Sequence, residues 1–229
     1  MRAHAYGAHP SQLGELTRPG SASKGVVVVV HGGFWKQAYG LELGRPLAAD
    51  LAARGWTAWN VEYRRVGGGG GAPATVDDVC AAVRALEELD VDLTHVVLLG
   101  HSAGGHLAVC AAARGGVSAV VSQAGVLDLR SAHSDGLGGG AVEAFLGGPP
   151  TEAADPIDPI RRVPLGVPVR CVHAPDDDTV PIGQSRDYVA AATAAGGDAA
   201  LVEVTGGHYG VIDPASAAWR RTVEVLDGL

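Results

Sequence analysis

The stretch Gly100-His101-Ser102-Ala103-Gly104 sets a hydroxyl between two glycines at minus two and plus two. This is the G-x-S-x-G spacing of a nucleophile held in a sharp strand-to-helix turn. The glycines lack Cβ atoms, so strand and helix can approach closely and the turn lifts the hydroxyl clear. A serine hydroxyl is a poor nucleophile at neutral pH, and it needs a base within reach and a carboxylate to orient that base. In the chain order Ser, acid, His, the base is His208, which follows Gly206-Gly207 in VTGGHYGVIDP. His133 and His173 compete weakly. HAPDDDTVP offers Asp176, Asp177 and Asp178 as the acid. Asp177 is preferred, four residues before Pro181, and Asp128 is a minority option. Attack on a carbonyl also needs a cradle for the developing oxyanion. HGGFW at 31–35 supplies one, and its spacing nominates the backbone N–H groups of Gly33 and Phe34 together with that of Ala103.

These residues need a scaffold, and the aliphatic runs describe it. GVVVVVHGG (25–33), WTAWNVEYRR (56–65), THVVLLGHS (94–102) and VPVRCVHAPDD (167–177) read as strands buried on both faces of a parallel sheet. VSAVVSQAG (117–125) and DAALVEVTGG (198–207) are two further candidates. Helix-like segments alternate with them at 42–55, 75–89, 103–116, 181–197 and 213–229. Thr75 and Asp213 stand as their N-caps in the second and last. The alternation predicts a mostly parallel sheet with helices on both faces. An antiparallel edge strand is expected near Gln12–Leu16. Ligands of such sheets bind beyond the carboxyl ends of the strands, where His31, Ser102, Asp177 and His208 fall. Gly67–Gly71 has no Gly-Lys-Ser/Thr after it and reads as a connection, not a phosphate loop.

The 229-residue chain is 47% hydrophobic and 18% charged, with a formal net charge of -8 and no basic tract. Binding to nucleic acid or to an anionic membrane is not expected of it. The longest aliphatic run, Val26–Val30, is too short to span a bilayer. The N-terminal stretch has no apolar core of signal-peptide length. Cys80, Cys110 and Cys171 are odd in number and widely spaced, which suits reduced thiols in a cytoplasmic protein. His101 and His106 have no acidic partner in a metal-binding pattern, so no metal is expected.

Taken together, HGGFW, GHSAGGHLA, DDDTVP and GGHYGVIDP resemble the α/β-hydrolase superfamily, in its esterase and arylformamidase (kynurenine formamidase)-like branch. The HGGFW form is similar to the arylformamidase pattern and to the HGGG motif of carboxylesterases, whose third glycine it lacks. The resemblance implies one domain over 1–229 with the α/β-hydrolase fold and a short cap-like insertion at about 128–164. It implies a Ser102–His208–Asp177 triad that cleaves a small carboxylic ester or formamide-like amide through an acyl-enzyme, with no cofactor. The expected partner is that small molecule, and a homodimer is left open. Trp35 and His101 are expected to line the substrate pocket, His31 to brace the oxyanion loop, and Glu62 to pair with Arg64 or Arg65. Two alternatives are a small prolyl-oligopeptidase-like peptidase and a non-catalytic binding protein on a hydrolase scaffold.

Overall fold

The computed structural model describes residues 2–229. Two strands, β1 (Arg2–Ala5) and β2 (Leu13–Thr17), precede β3 (Val26–Val30). There follow α1 (Arg45–Ala53), β4 (Thr57–Val61), α2 (Ala74–Arg84), β5 (Val96–His101), α3 (Ala103–Ala112) and β6 (Ala119–Gln123). After α4 (Leu129–Ser134) and α5 (Ala141–Leu146) come β7 (Val169–His173), α6 (Gly183–Ala194), β8 (Ala199–Glu203), α7 (Gly207–Gly210) and α8 (Ala217–Asp227).

The strands form one sheet in the order β1-β2-β4-β3-β5-β6-β7-β8. Pairing is parallel from β4 to β8, and the β1–β2 and β2–β4 pairs are antiparallel, so β2 alone runs against the other strands. The five valines of β3 explain why it lies inside. Val26, Val28 and Val30 bury against one face of the sheet, and Val27 and Val29 against the other. Each buried aliphatic side chain stabilises by roughly 1.5–3 kcal/mol, so a strand apolar on both sides is stable only between two helical layers. One layer packs Val79, Cys80, Leu107 and Tyr188 of α2, α3 and α6 on the sheet. The other packs Leu47, Leu51, Trp219 and Val223 of α1 and α8.

From β3 the chain winds through α1 to β4 on one side, while from β5 it winds through α3 to β6 on the other. The neighbouring strands β3 and β5 thus flank a topological switch point, where an open α/β sheet has its crevice. The loop after β3 and the turn after β5 both open there. The segment between β6 and β7 holds α4, α5 and two 3-10 turns at Glu152–Ile157 and Pro159–Arg161, more helical than its sequence suggests. The Asp128 carboxylate caps α4 by accepting from the N–H groups of Arg130 and Ser131.

Two helix caps differ from expectation. The cap position of α2 is Pro73, and the Thr75 hydroxyl instead accepts from Gly71 N and donates to Arg64 O, tying down the glycine loop. Ser216, not Asp213, caps α8 through Trp219 N, while Asp213 accepts from Ala215 N in the turn before it. In both cases a neighbouring hydroxyl or carboxylate closes the turn that leads into the helix. Among the described residues no helix is long and apolar enough to cross a membrane.

Candidate active site

Ser102 follows β5 and is the cap position of α3, with φ 56° and ψ −121°. A non-glycine residue there stores on the order of 1–3 kcal/mol of strain and persists only where its surroundings enforce it. The enforcement is visible. Ser102 N donates to Gln123 O of β6 at 2.8 Å, and Ser102 O accepts from the N–H groups of Gly105, His106 and Val126. The flanking glycines leave no alternative. A Cβ on Gly100 would lie 2.1 Å from Gly104 O, and one on Gly104 would lie 2.1 Å from Val30 O and 2.4 Å from His31 O.

Asp177 follows β7, and His208 is the second residue of the short α7, after Gly206 and Gly207 at positive φ. His208 Nδ1 lies 2.7 Å from Asp177 Oδ2. The other oxygen of Asp177 accepts from the N–H groups of Thr179 (2.9 Å) and Val180 (2.8 Å). Burial opposes ionisation of this carboxyl. Hydrogen bonding with His173 and His208 and the amide of Val180 outweigh burial and hold it well below the usual carboxylate range. An ionised Asp177 accepts only, so His208 carries its proton on Nδ1 and presents a bare Nε2 when neutral. Neither Asp176 nor Asp178 makes this contact: the Asp178 carboxylate accepts from the Thr179 hydroxyl.

His101 couples the two halves of the site. Its Nε2 donates to His208 O at 3.0 Å, and the two rings lie 4.6 Å apart. Burial, and then the neighbouring His208, push its pKa down to about 3, so it is neutral. The residue before Ser102 thereby anchors the loop that carries the base.

The loop after β3 lies on the elbow. A Cβ on Gly32 would sit 2.9 Å from His101 O and 3.0 Å from Ser102 Cβ. Gly33, Phe34 and Trp35 follow with φ of 111°, 51° and 57°. Among the described residues, no acceptor is paired with any N–H from Gly32 to Trp35 or with that of Ala103. The loop is braced from beneath. His31 Nε2 lies 3.0 Å from Glu62 Oε1, its ring stacks on Tyr63 at 4.3 Å, and the Tyr63 hydroxyl donates to His31 O. Glu62 also accepts from Tyr63 N and Leu41 N and lies 3.4 Å from Arg65. Arg64 turns instead to Asp78. Burial raises the Glu62 carboxyl, but its bonds to His31 and Tyr63 and the charge of Arg65 prevail and lower it.

Two expected pocket residues are buried. Trp35 is buried in the core, stacked on Phe145 at 4.6 Å and edge-on to His106 at 5.2 Å, because the left-handed turn at 33–35 drives the indole inward. His101 lies beneath the His208 loop and is buried. Phe34 is half-buried against Gly138 of the cap-like segment. Tyr39 and Tyr209, which the sequence did not single out, are exposed beside Gly33 and His208. A cavity of about 330 Å³ between Ala72–Pro73 and Pro149–Ile157 contains none of Ser102, Asp177 or His208. Among the described residues no group of three or more His, Cys, Asp or Glu side chains is placed to hold a metal ion.

The comparisons with known proteins fit this geometry. None of the curated proteins matches the chain in sequence. A truncated carbohydrate esterase from gut microbiota superposes with a TM-score of 0.82 at 20% identity, over 100% of this chain and 96% of that one. An acetyl ester-xyloside bifunctional hydrolase from Caldicellulosiruptor lactoaceticus gives 0.78 at 21%, over 93% and 86%. Esterase 2 of Thermogutta terrifontis, phosphonylated by sarin, gives 0.80 at 22%, over 99% and 92%. At these identities the likeness shows the fold, that of the α/β-hydrolases. In sequence, residues 16–191 match the BD-FAE family. With more than half of its length matched, the chain belongs to the BD-FAE family, an esterase-type family of α/β-hydrolases.

Proposed function

We propose that this protein is a serine hydrolase that cleaves small carboxylic esters through an acyl-enzyme. The observation that carries the reading is the Asp177–His208 pair, bonded at 2.7 Å and tied through His101 to the strained turn that presents Ser102. In this reading His208 Nε2 takes the proton of Ser102 as its oxygen bonds to the substrate carbonyl carbon. The carbonyl oxygen becomes an oxyanion and accepts from the free N–H groups of Gly33, Phe34 and Ala103. The positive end of α3 faces the same charge. The imidazolium, stabilised by ionised Asp177, then gives its proton to the leaving alcohol. Water, deprotonated by the same ring, releases the acid and restores Ser102.

Substrate size follows from the surroundings. The cap-like segment is short, which favours a short acyl group over a long lipid chain. Esterase 2 of Thermogutta terrifontis has been solved with butyrate and with propionate bound, which supports a short acyl group here. The test is a rate comparison over p-nitrophenyl esters of rising acyl length, with an N-formyl aromatic amine as the amide arm. Turnover is expected to be fastest on the shortest acyl chains. Preference for long-chain esters would contradict the short-acyl reading, and faster turnover of the formamide would move the reading to an arylformamidase.

A further inference from the structure

Asp177 Oδ2 faces two imidazoles, not one. His208 Nδ1 lies 2.7 Å away and His173 Nε2 lies 3.2 Å away. His173 ends β7, four residues before Asp177, and its ring is wholly buried. The Nε2 atom also lies 2.9 Å from Val180 O. Both neighbours of Nε2 accept only, so Nε2 carries a proton. In the neutral ring Nδ1 is then bare, and it lies 2.8 Å from the hydroxyl of Ser185, a buried residue of α6. Ser185 is the donor that fixes this tautomer. The Val180 carbonyl that His173 holds belongs to the residue whose N–H grips the other oxygen of Asp177.

We infer that His173, set by Ser185, is a positioning residue of the reaction: it locks the turn carrying Asp177 and shares the carboxylate oxygen that orients His208. The inference rests on the serine-hydrolase reading above. A satisfied core histidine would need only partners of any kind. Here both contacts of Nε2 converge on the acid turn, and the ring's other nitrogen is reserved for setting the proton. Without the His173 N–H, Asp177 keeps a single donor on Oδ2 and the turn from 177 to 180 loses its tie to the sheet. The base then loses definition while substrate contacts stay as they were.

The test compares His173→Leu, which removes the donor, with His173→Gln, whose amide N–H groups can serve both Val180 O and Asp177 Oδ2. Readouts are kcat and KM on a short p-nitrophenyl ester and the low-field proton resonance of His208 Nδ1–H. His173→Leu is expected to lower kcat about tenfold, the worth of one hydrogen bond to a charged group, with KM little changed and the resonance displaced. His173→Gln is expected to restore both. Unchanged kcat and resonance in His173→Leu would overturn the inference, as would failure of a folded His173→Gln to recover either. If His173→Leu does not fold, Ser185→Ala keeps the ring in place, and a several-fold loss of kcat with a displaced resonance is expected. No change in Ser185→Ala would overturn the inference. Turnover and fluorophosphonate labelling of the unaltered protein are measured alongside. Their absence would refute the hydrolase reading itself, whereas the resonance reports on Asp177 and His208 regardless.

Discussion

Gly104→Ala isolates the steric demand of the nucleophile turn. Gly104 is in the first turn of α3, where alanine is favoured over glycine by roughly 0.5–1 kcal/mol on propensity alone. Packing reverses that gain. The new methyl would lie 2.1 Å from Val30 O, 2.4 Å from His31 O and 2.8 Å from Val30 C. A carbon meets a carbonyl oxygen at about 3.3 Å, so the gap must open by roughly 1 Å. All three atoms are backbone, at the end of an inner strand, and none can rotate away. Overpacking of this kind costs typically 1–3 kcal/mol, and the rigid neighbours place this site at the upper end. The net expectation is a loss of about 2 kcal/mol, which lowers Tm by about 4–8 °C in a domain of this size. Activity falls further, because His31 O leads directly into the loop bearing the oxyanion donors. A misplacement of about 1 Å there costs on the order of 100-fold in rate. Calorimetry and turnover of p-nitrophenyl acetate measure the two effects. Gly183→Ala is the control, since no atom lies within 4 Å of its added Cβ, and it is expected to melt no lower than the unaltered protein. A Gly104→Ala protein that melts as high as the unaltered one with full turnover would refute the close-approach argument.

Two further substitutions probe the supports of the site and of the cap-like segment. Glu62→Gln replaces a carboxylate that accepts from His31, Tyr63 and Leu41 with an amide that must turn a donor toward one of them. Its kcat is expected to fall by about 10–100-fold with KM little changed, the loss of about 1.5–3 kcal/mol in support of the oxyanion loop, and unchanged kcat would count against the brace. Asp158 anchors the segment by accepting from Leu129 N, leaves Oδ2 unpartnered, and is pushed by burial up to about 6. Its folded pKa exceeds the unfolded one, so its contribution to stability is complete below about pH 4 and is lost as pH rises through about 6. Asp158→Asn does not titrate. Relative to the unaltered protein it is therefore expected to gain on the order of 2 kcal/mol in denaturant unfolding between pH 4 and pH 8, and parallel stabilities at the two pH values would contradict this.

The frame was legible because it rests on local chemistry. The β-branched run at 26–30 can be satisfied only between two layers, and the spacing about Ser102 can be satisfied only at a tight junction. The preference for Asp177 over its neighbours also followed from spacing, and only that carboxylate reaches His208. What escaped the sequence depends on contacts between distant segments. For Trp35, pocket wall and core were both open, because nothing local reveals that φ turns positive at three successive residues and buries the indole against Phe145. His173 read as a weak rival for the base. Its place at a strand end, four residues before the acid, was visible, but Ser185, which fixes its proton, comes from the next helix. The tie of His101 to His208 O spans 107 positions of sequence and has no local signal. Strand β1 escaped because its residues lie on the outer edge, where little apolar surface is buried.

The central claim is that the hydroxyl of Ser102 is the nucleophile. Intact-mass and peptide mapping after reaction with a fluorophosphonate probe test it most directly. One adduct per chain, located on Ser102 and absent from Ser102→Ala, is the predicted result. A folded, unaltered protein that takes up no probe, or that takes it up at another residue, would contradict the account.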